Sequence, residues 1–264
     1  MTVPRVSIIT VNRDMAPALA ITMDSVLGQD YPALDYIVID GASHDGSRDL
    51  IAARDEKLAY WISEPDSSLY DAMNKGVAAA RGDWVLFMNA GDRFAASDAL
   101  SQMFASEHIE VDILYGDHLR SYPGFGVERL VPAEAPSVLP WRMFCSHQSL
   151  LMRRELLLDH PFRTDLLAAD YEVLLTAYRK GRRFEYVNCV VALTATGGRS
   201  DTQRIRSLRE RMAILRQCKL MTSMLALHYR WLLARTHLAA AAKSILPGAL
   251  TAYILEKRKI GGLG

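Results

Sequence analysis

The chain has 264 residues, 50% of them hydrophobic, and a formal net charge of +1, which is enough apolar material for one sizeable α/β domain with an appendage rather than two independent domains. Three cysteines without metal-ligand spacing argue against a disulfide framework or a zinc cluster and fit a reducing compartment. No run of about 18 uncharged apolar residues argues for a membrane-spanning helix, and the opening MTVPRVSIITVN lacks the basic n-region of a secretory signal.

In chain order, Val6-Ser7-Ile8-Ile9-Thr10-Val11 is short, β-branched and uninterrupted, which predicts a buried parallel strand. Residues 14–28 read as a helix with Leu19, Met23, Val26 and Leu27 on one face. Tyr36-Ile37-Val38-Ile39 is a second strand ending at Asp40, followed by a turn cluster over 41–47 and a helix over 47–55. A strand at 58–62, a helix at 69–80 and a strand at 84–88 complete the first 90 residues. This alternation predicts a mostly parallel sheet with helices on both faces, whose ligands sit at the carboxyl ends of the strands. Asn12, Asp40 and Asp92 all fall at such ends. Further on, the expected elements are a strand over 113–117, a loop or hairpin over 121–140, a strand over 147–152, a helix over 169–180 closed by Gly181, and a strand over 184–191.

Residues 202–246 read as helical, with Pro247-Gly248 as a break. Residues 1–198 carry 18 Lys+Arg and 27 Asp+Glu, a net of −9, whereas residues 199–264 carry 13 and 3, a net of +10. We therefore divide the chain into a body, 1–200, and a basic amphipathic extension, 201–264. Leu225, Leu227, Tyr229, Trp231, Leu232 and Leu233 are too apolar for an isolated solvated helix. The extension either docks on the body, pairs two copies into a homo-oligomer, or lies in a membrane interface. Arg, Trp and Leu together favour the interface, with Lys257-Arg258-Lys259 adding charge. No nucleic-acid reader motif accompanies this charge.

Six segments in order, VSIITVN (6–12), VIDGASHDGS (38–47), YDAMNKG (70–76), RGDWVLFMNAGD (81–92), HQSLLMRR (147–154) and AADYE (168–172), resemble family 2 glycosyltransferases, with the likeness spanning roughly residues 3–195. The YDAMNKG segment and the N-x-G-D ending are similar to a colanic-acid transferase (WcaE-like) subgroup. The resemblance implies a GT-A fold: a Rossmann-like, mostly parallel central sheet with helices on both faces, here followed by a C-terminal helical extension. It also implies a nucleotide-sugar donor (a UDP, GDP or dTDP sugar).

By the same resemblance, Thr10, Asn12, Asp40, Asp66, Asp71, Lys75 and Asn89 contact the donor. Asp40 is equally a turn former before Gly41, and Asp66 and Asp71 are equally helix-capping or first-turn charges. Asp92 is the metal candidate for Mg²⁺ or Mn²⁺, although the aligned run Asn89-Ala90-Gly91-Asp92 keeps one carboxylate where the family usually has more. Asp170 matches the catalytic base, with helix capping as its structural alternative. His147 and Gln148 face the acceptor, with a packed, hydrogen-bonded side chain as the alternative for His147, and Arg153 and Arg154 meet its lipid diphosphate, with exposed surface charge as the alternative for at least one of them.

Together these imply an inverting enzyme that transfers a sugar to a hydroxyl of a lipid-linked glycan in exopolysaccharide, capsule or O-antigen synthesis. It would be cytoplasmic and peripheral to the membrane. The rivals are a nucleotide-binding scaffold subunit, and a nucleotidyltransferase, whose glycine-rich basic loop after the first strand is missing from Asn12-Arg13-Asp14-Met15.

Overall fold

Along the first strand Val6 and Ile8 enter one apolar cluster while Ile9 and Val11 enter another, so the period-2 alternation of a strand is turned to two buried faces. In the computed structural model, which describes residues 3–105, 110–122, 124, 126–195 and 202–245, this strand is β1 (Val6–Asn12). The body continues with α1 (Ala16–Leu27), β2 (Leu34–Asp40), α2 (Ser47–Ala52), β3 (Tyr60–Ser63), α3 (Leu69–Ala79), β4 (Trp84–Phe87), β5 (Arg93–Phe94) and α4 (Ala99–Met103). It goes on through β6 (Ile113–Tyr122), β7 (Val127–Val131), β8 (Leu150–Arg153), α5 (Arg154–Asp159), α6 (Ala169–Arg179) and β9 (Phe184–Ala195). Two helices follow, α7 (Arg204–Gln217) and α8 (Ser223–Ile245).

Among the described residues nine strands form one mixed sheet in the order β3-β2-β1-β4-β8-β6-β9-β5, with β7 paired to β6. β3, β2, β1 and β4 run parallel. β8 is antiparallel to both of its neighbours, β4 and β6, which leaves β6 and β9 running with the first four. One face is covered by α1 and α4 through Leu19, Met23, Val26, Leu100 and Met103. The other is covered by α3, α6, α7 and α8 through Met73, Val77, Leu174, Leu175, Leu215 and Tyr229. Each fully buried side chain of this size contributes about 1.5–3 kcal/mol. At Gly76 of α3 a Cβ would sit 2.4 Å from Ile9 Cγ2, so glycine lets this helix lie directly on β1.

Several boundaries depart from the sequence expectation. The helix expected over 47–55 stops at Ala52 and is followed by a 3-10 turn, Asp55–Lys57. The strand expected from His147 begins only at Leu150, because His147–Ser149 forms a 3-10 turn. The strand at 113–117 extends to Tyr122, where β7 takes over as partner, so 121–140 holds a hairpin. The strand 184–191 continues to Ala195. The single helix over 202–246 is two helices, interrupted at 218–222, where Lys219 takes a left-handed φ of 56°. β5, α4 and α5 are too short to carry a readable period. Pro247-Gly248 and Lys257-Arg258-Lys259 lie outside the described residues.

Arg153 and Arg154 do not approach the carboxyl ends of the parallel strands. β8 runs against β4, so its last residue, Arg153, lies opposite Trp84 at the start of β4. There Arg153 stacks on the Trp84 ring at 4.1 Å, and Arg154 donates to the Val77 carbonyl.

His118 of β6 is 3% exposed and neither of its ring nitrogens has a partner. Burial, reinforced by Arg120 and opposed by Asp117, pushes its pKa from 6.5 down to about 4. The folded state therefore favours the neutral ring, so this stabilisation is whole above pH 6.5 and is lost as pH falls toward 4. The loss reaches about 2 kcal/mol by pH 5. Between pH 7 and pH 5 the urea midpoint of the wild type should fall relative to that of His118→Phe, which lacks this titration; parallel pH profiles of the two proteins would contradict the assignment.

Candidate active site

Because β1, β2 and β3 are parallel and in register, Asn12 lies opposite Asp40, and Asp40 opposite Ser63, at one edge of the sheet. The three side chains form a hydrogen-bonded row. Asp40 Oδ1 accepts from Asn12 Nδ2 (2.7 Å) and Ser43 Oγ (2.5 Å). Its Oδ2 accepts from the Ser43 amide (3.0 Å) and Ser63 Oγ (2.6 Å). Burial pushes the Asp40 pKa up, but the four donors outweigh it and hold the carboxyl below its ordinary value. Asp40 thus stays charged and ties three strand ends together. Asn12 Oδ1, beside it, is buried without a partner.

Thr10 is fully buried, and its hydroxyl donates to the Met88 carbonyl (2.7 Å) and lies 3.0 Å from Tyr36 Oη. It stiffens β1 from below rather than facing a ligand. Asp71 accepts from the amide and hydroxyl of Ser67, while Ser68 Oγ accepts from the Asp71 amide, a reciprocal cap on α3. The Ser67 amide leads the causes that lower its pKa. Lys75 reaches back from α3 to Glu64 and Asp66, each at 2.7 Å, and staples the loop after β3 to the helix. Burial opposes the lysine charge, yet these two carboxylates raise its pKa above the ordinary value.

Beyond β4 the chain turns sharply at Asn89-Ala90-Gly91-Asp92. The Asp92 amide donates to the Asn89 carbonyl (2.9 Å), and Gly91 takes φ +97°, which a side chain would strain. Thr22 of α1 pins this turn: its hydroxyl donates to the Asp92 carbonyl (2.6 Å) and accepts from the Gly91 amide (2.9 Å). Burial pushes the Asp92 pKa up to about 6, against hydrogen bonds from Gln148 and the Ala195 amide. Asn89 Oδ1 is buried and unpartnered.

The antiparallel course of β8 brings its leading turn, His147–Ser149, to this same edge. Gln148 Nε2 donates to Asp92 Oδ2 (2.7 Å), and Ser146 Oγ orients the amide by donating to Gln148 Oε1 (2.7 Å). His147 turns the other way. Its ring packs between Phe87 and Phe162, with Nδ1 3.8 Å from Asp170 Oδ2. Burial lowers the His147 pKa, opposed by the Asp170 charge, and both ring nitrogens lack hydrogen-bond partners. Asp170, in the first turn of α6, accepts through Oδ1 from Tyr70 Oη (2.9 Å) and the Tyr171 amide (2.8 Å).

Two neighbouring residues thus join the metal candidate to the base candidate, a role that the acceptor-facing expectation for His147 and Gln148 did not include. Tyr70, Thr22, Ser43 and Ser63 were also missing from the expected site. Tyr70 and Ser43 had a signal, their places in the YDAMNKG and VIDGASHDGS segments; Thr22 and Ser63 had none.

The family model for glycosyl transferase family 2 matches residues 6–161, more than half of the chain. The chain belongs to that family. A relative, an uncharacterized glycosyltransferase of Mycobacterium tuberculosis, is 38% identical over 130 residues, 48% of this chain and 47% of that protein. A PGL/p-HBAD biosynthesis glycosyltransferase of Mycobacterium bovis is 31% identical over 167 residues, 59% of this chain and 62% of that protein. The chain thus spans about half to three-fifths of the length of these curated relatives. Among solved structures, a mannosyltransferase from Pyrobaculum calidifontis in complex with GDP-Man and Mn²⁺ aligns with a TM-score of 0.68 at 21% identity, covering 100% of this chain and 82% of that one. Staphylococcus aureus TarS in complex with UDP-GlcNAc aligns at 0.64 and 17% identity, covering 80% and 66%. At these identities the likeness establishes the fold, which is GT-A. The family match ends before Asp170.

Proposed function

We propose that this family 2 chain is an inverting glycosyltransferase. It moves a sugar from a nucleoside diphosphate to a hydroxyl of a lipid-linked glycan in exopolysaccharide, capsule or O-antigen synthesis. The observation that carries the reading is the His147–Gln148 turn, which sets Asp92 and Asp170 on either side of one short segment at the carboxyl edge of the sheet. The nucleotide lies along Asn12, Asp40 and Asp66, and Asn89 accepts from a ribose hydroxyl. Thr10, Asp71 and Lys75 act from behind by fixing that edge. The acceptor oxygen attacks the anomeric carbon while Asp170 Oδ2 takes its proton. The bond from that carbon to the diphosphate oxygen breaks and the electron pair leaves with the nucleoside diphosphate.

Held at Asp92, Mg²⁺ or Mn²⁺ would offset the negative charge on that leaving group. The residues present fit such an ion: Asp92 supplies one hard carboxylate, and Asn89, in the same turn and with its Oδ1 buried without a partner, could ligate it in place of the ribose contact. Among the described residues no group of three His, Cys, Asp or Glu converges, so Asp92 would be the single protein carboxylate on such an ion. The lone carboxylate also favours the rival reading, a nucleotide-binding scaffold subunit. Purified protein should be screened for hydrolysis of UDP-, GDP- and dTDP-sugars with and without Mn²⁺. Metal-stimulated release from one nucleotide class is expected. Nucleotide binding without turnover of any donor would favour the scaffold. The YDAMNKG segment and the Asn89–Asp92 ending support placing the chain in the colanic-acid transferase subgroup.

The extension supports a peripheral membrane position at the cytoplasmic face. α8 docks through Leu225 and Tyr229, leaving an outer stripe of Met224, Leu227, Trp231 and Leu238, which are 68%, 69%, 54% and 72% exposed. Arg235 lies over the Trp231 ring at 5.4 Å, and no acidic residue occurs between 211 and 245. None of the helices among the described residues is long and apolar enough to cross a membrane. The protein should float with phosphatidylglycerol-containing vesicles and less so with phosphatidylcholine alone. A Leu227→Glu, Trp231→Glu double variant should weaken this about tenfold or more; equal flotation of both proteins would refute the position.

A further inference from the structure

Residues 202–245 contain a single acidic side chain, Glu210, amid the arginines of α7. It is 14% exposed and faces the body rather than solvent. Its Oε2 accepts from the amides of Leu167 (2.6 Å) and Ala168 (2.9 Å). Its Oε1 accepts from Arg206 Nε (2.8 Å), and Arg206 Nη2 donates to the Asp165 carbonyl (3.1 Å). At the next residue, the Arg211 guanidinium lies 5.0 Å over the Tyr171 ring. α7 therefore grips the backbone of 165–168 and the first turn of α6 on both sides of Asp170.

The N-cap residue of α6, Ala168, has no side chain able to accept from the first amides of the helix, and of these the Tyr171 amide is met by Asp170 Oδ1. Glu210 holds the two amides just before them, those of Leu167 and Ala168, and so fixes the backbone that leads into the helix. Asp170 stands two residues beyond the gripped Ala168 amide, so the aim of its carboxylate follows the gripped backbone.

We propose that Glu210 of the C-terminal extension is a positioning residue for Asp170, so that the extension completes the catalytic site. The proposal rests on the reading of Asp170 as the base. Its effect is on geometry: displacing a catalytic group by about 1 Å can cost on the order of 100-fold in rate.

Glu210→Ala should lower kcat for donor turnover by about 10- to 100-fold, while the affinities for UDP or GDP with MnCl₂ stay at wild-type values. Glu210→Gln keeps a carbonyl oxygen for the two amides and should recover most of the rate. In an Asp170→Asn background Glu210→Ala should add little further loss, because both changes act through one group. Hydrogen exchange of the peptide spanning 163–171 should quicken in Glu210→Ala and not in Glu210→Gln. Unchanged exchange in Glu210→Ala overturns the grip whatever the chain's activity. Unchanged kcat, or nucleotide affinity falling in step with rate, overturns the positioning role. A wild-type protein that turns over no donor removes the glycosyltransferase reading and that role with it, while the exchange measurement still judges the grip.

Discussion

Asp170→Asn should reduce sugar transfer by on the order of 1000-fold and leave nucleotide affinity unchanged. The asparagine can keep the bonds that hold the residue, since its carbonyl oxygen can accept from Tyr70 Oη and the Tyr171 amide as Oδ1 does now. What it cannot do is take a proton at the position of Oδ2, which is turned toward His147 and is not used by those donors. General-base contributions typically amount to about 10²–10⁴-fold, and here no neighbouring carboxylate shares the position. Glu172, the other acid in this turn, is held by Arg163. Single-turnover transfer by the variant, beside calorimetry with UDP or GDP and Mn²⁺, separates the loss of a base from the loss of a fold. Full transfer activity in Asp170→Asn would sink the assignment.

How much of this was legible in the sequence follows from which interactions are local. β1, β2 and β4 could be read because strands buried on both faces are short, continuous and apolar, and their last residues name the carboxyl edge. Asn12, Asp40 and Asp92 therefore emerged without knowledge of any contact. The cap formed by Ser67, Ser68 and Asp71 is local too, and capping is legible in the sequence as the alternative for Asp71.

What the sequence concealed depends on strand direction and distant pairing. Nothing in HQSLLMRR says that the strand runs against β4. Yet that direction alone puts His147 and Gln148 at the site and sends Arg153 to the opposite end of the sheet, onto Trp84. Thr22 looks like an ordinary helix residue until the turn after β4 folds onto it, 70 residues away. The extension's apolar content predicted either docking or exposure, and α8 does both on different faces. Its interruption at 218–222 carries neither Gly nor Pro, so the left-handed Lys219 leaves no compositional trace.

Asp92→Asn is the second large effect, expected at about 10²–10³-fold in donor turnover, the scale for removing one preorganised stabiliser of developing charge. On the proposed reading that work falls to one carboxylate, because the other three residues of the turn, Asn89, Ala90 and Gly91, carry none. The substitution is nearly isosteric, and the turn that carries it does not depend on the charge: Gly91 supplies the left-handed φ, and Thr22 binds the backbone of Gly91 and Asp92. Gln148 can rotate its amide to meet the newly introduced one, at the expense of the Ser146 bond to Oε1. Fold and edge geometry should therefore survive, and the difference reads out charge. In the wild type, Mn²⁺ should tighten UDP or GDP binding as measured by calorimetry, whereas in Asp92→Asn that metal dependence should vanish while metal-free nucleotide affinity holds. If the variant keeps the wild-type response to Mn²⁺, Asp92 is not the residue that holds the ion. If the wild type itself shows no response, transfer in this chain depends on protein donors alone to steady the diphosphate.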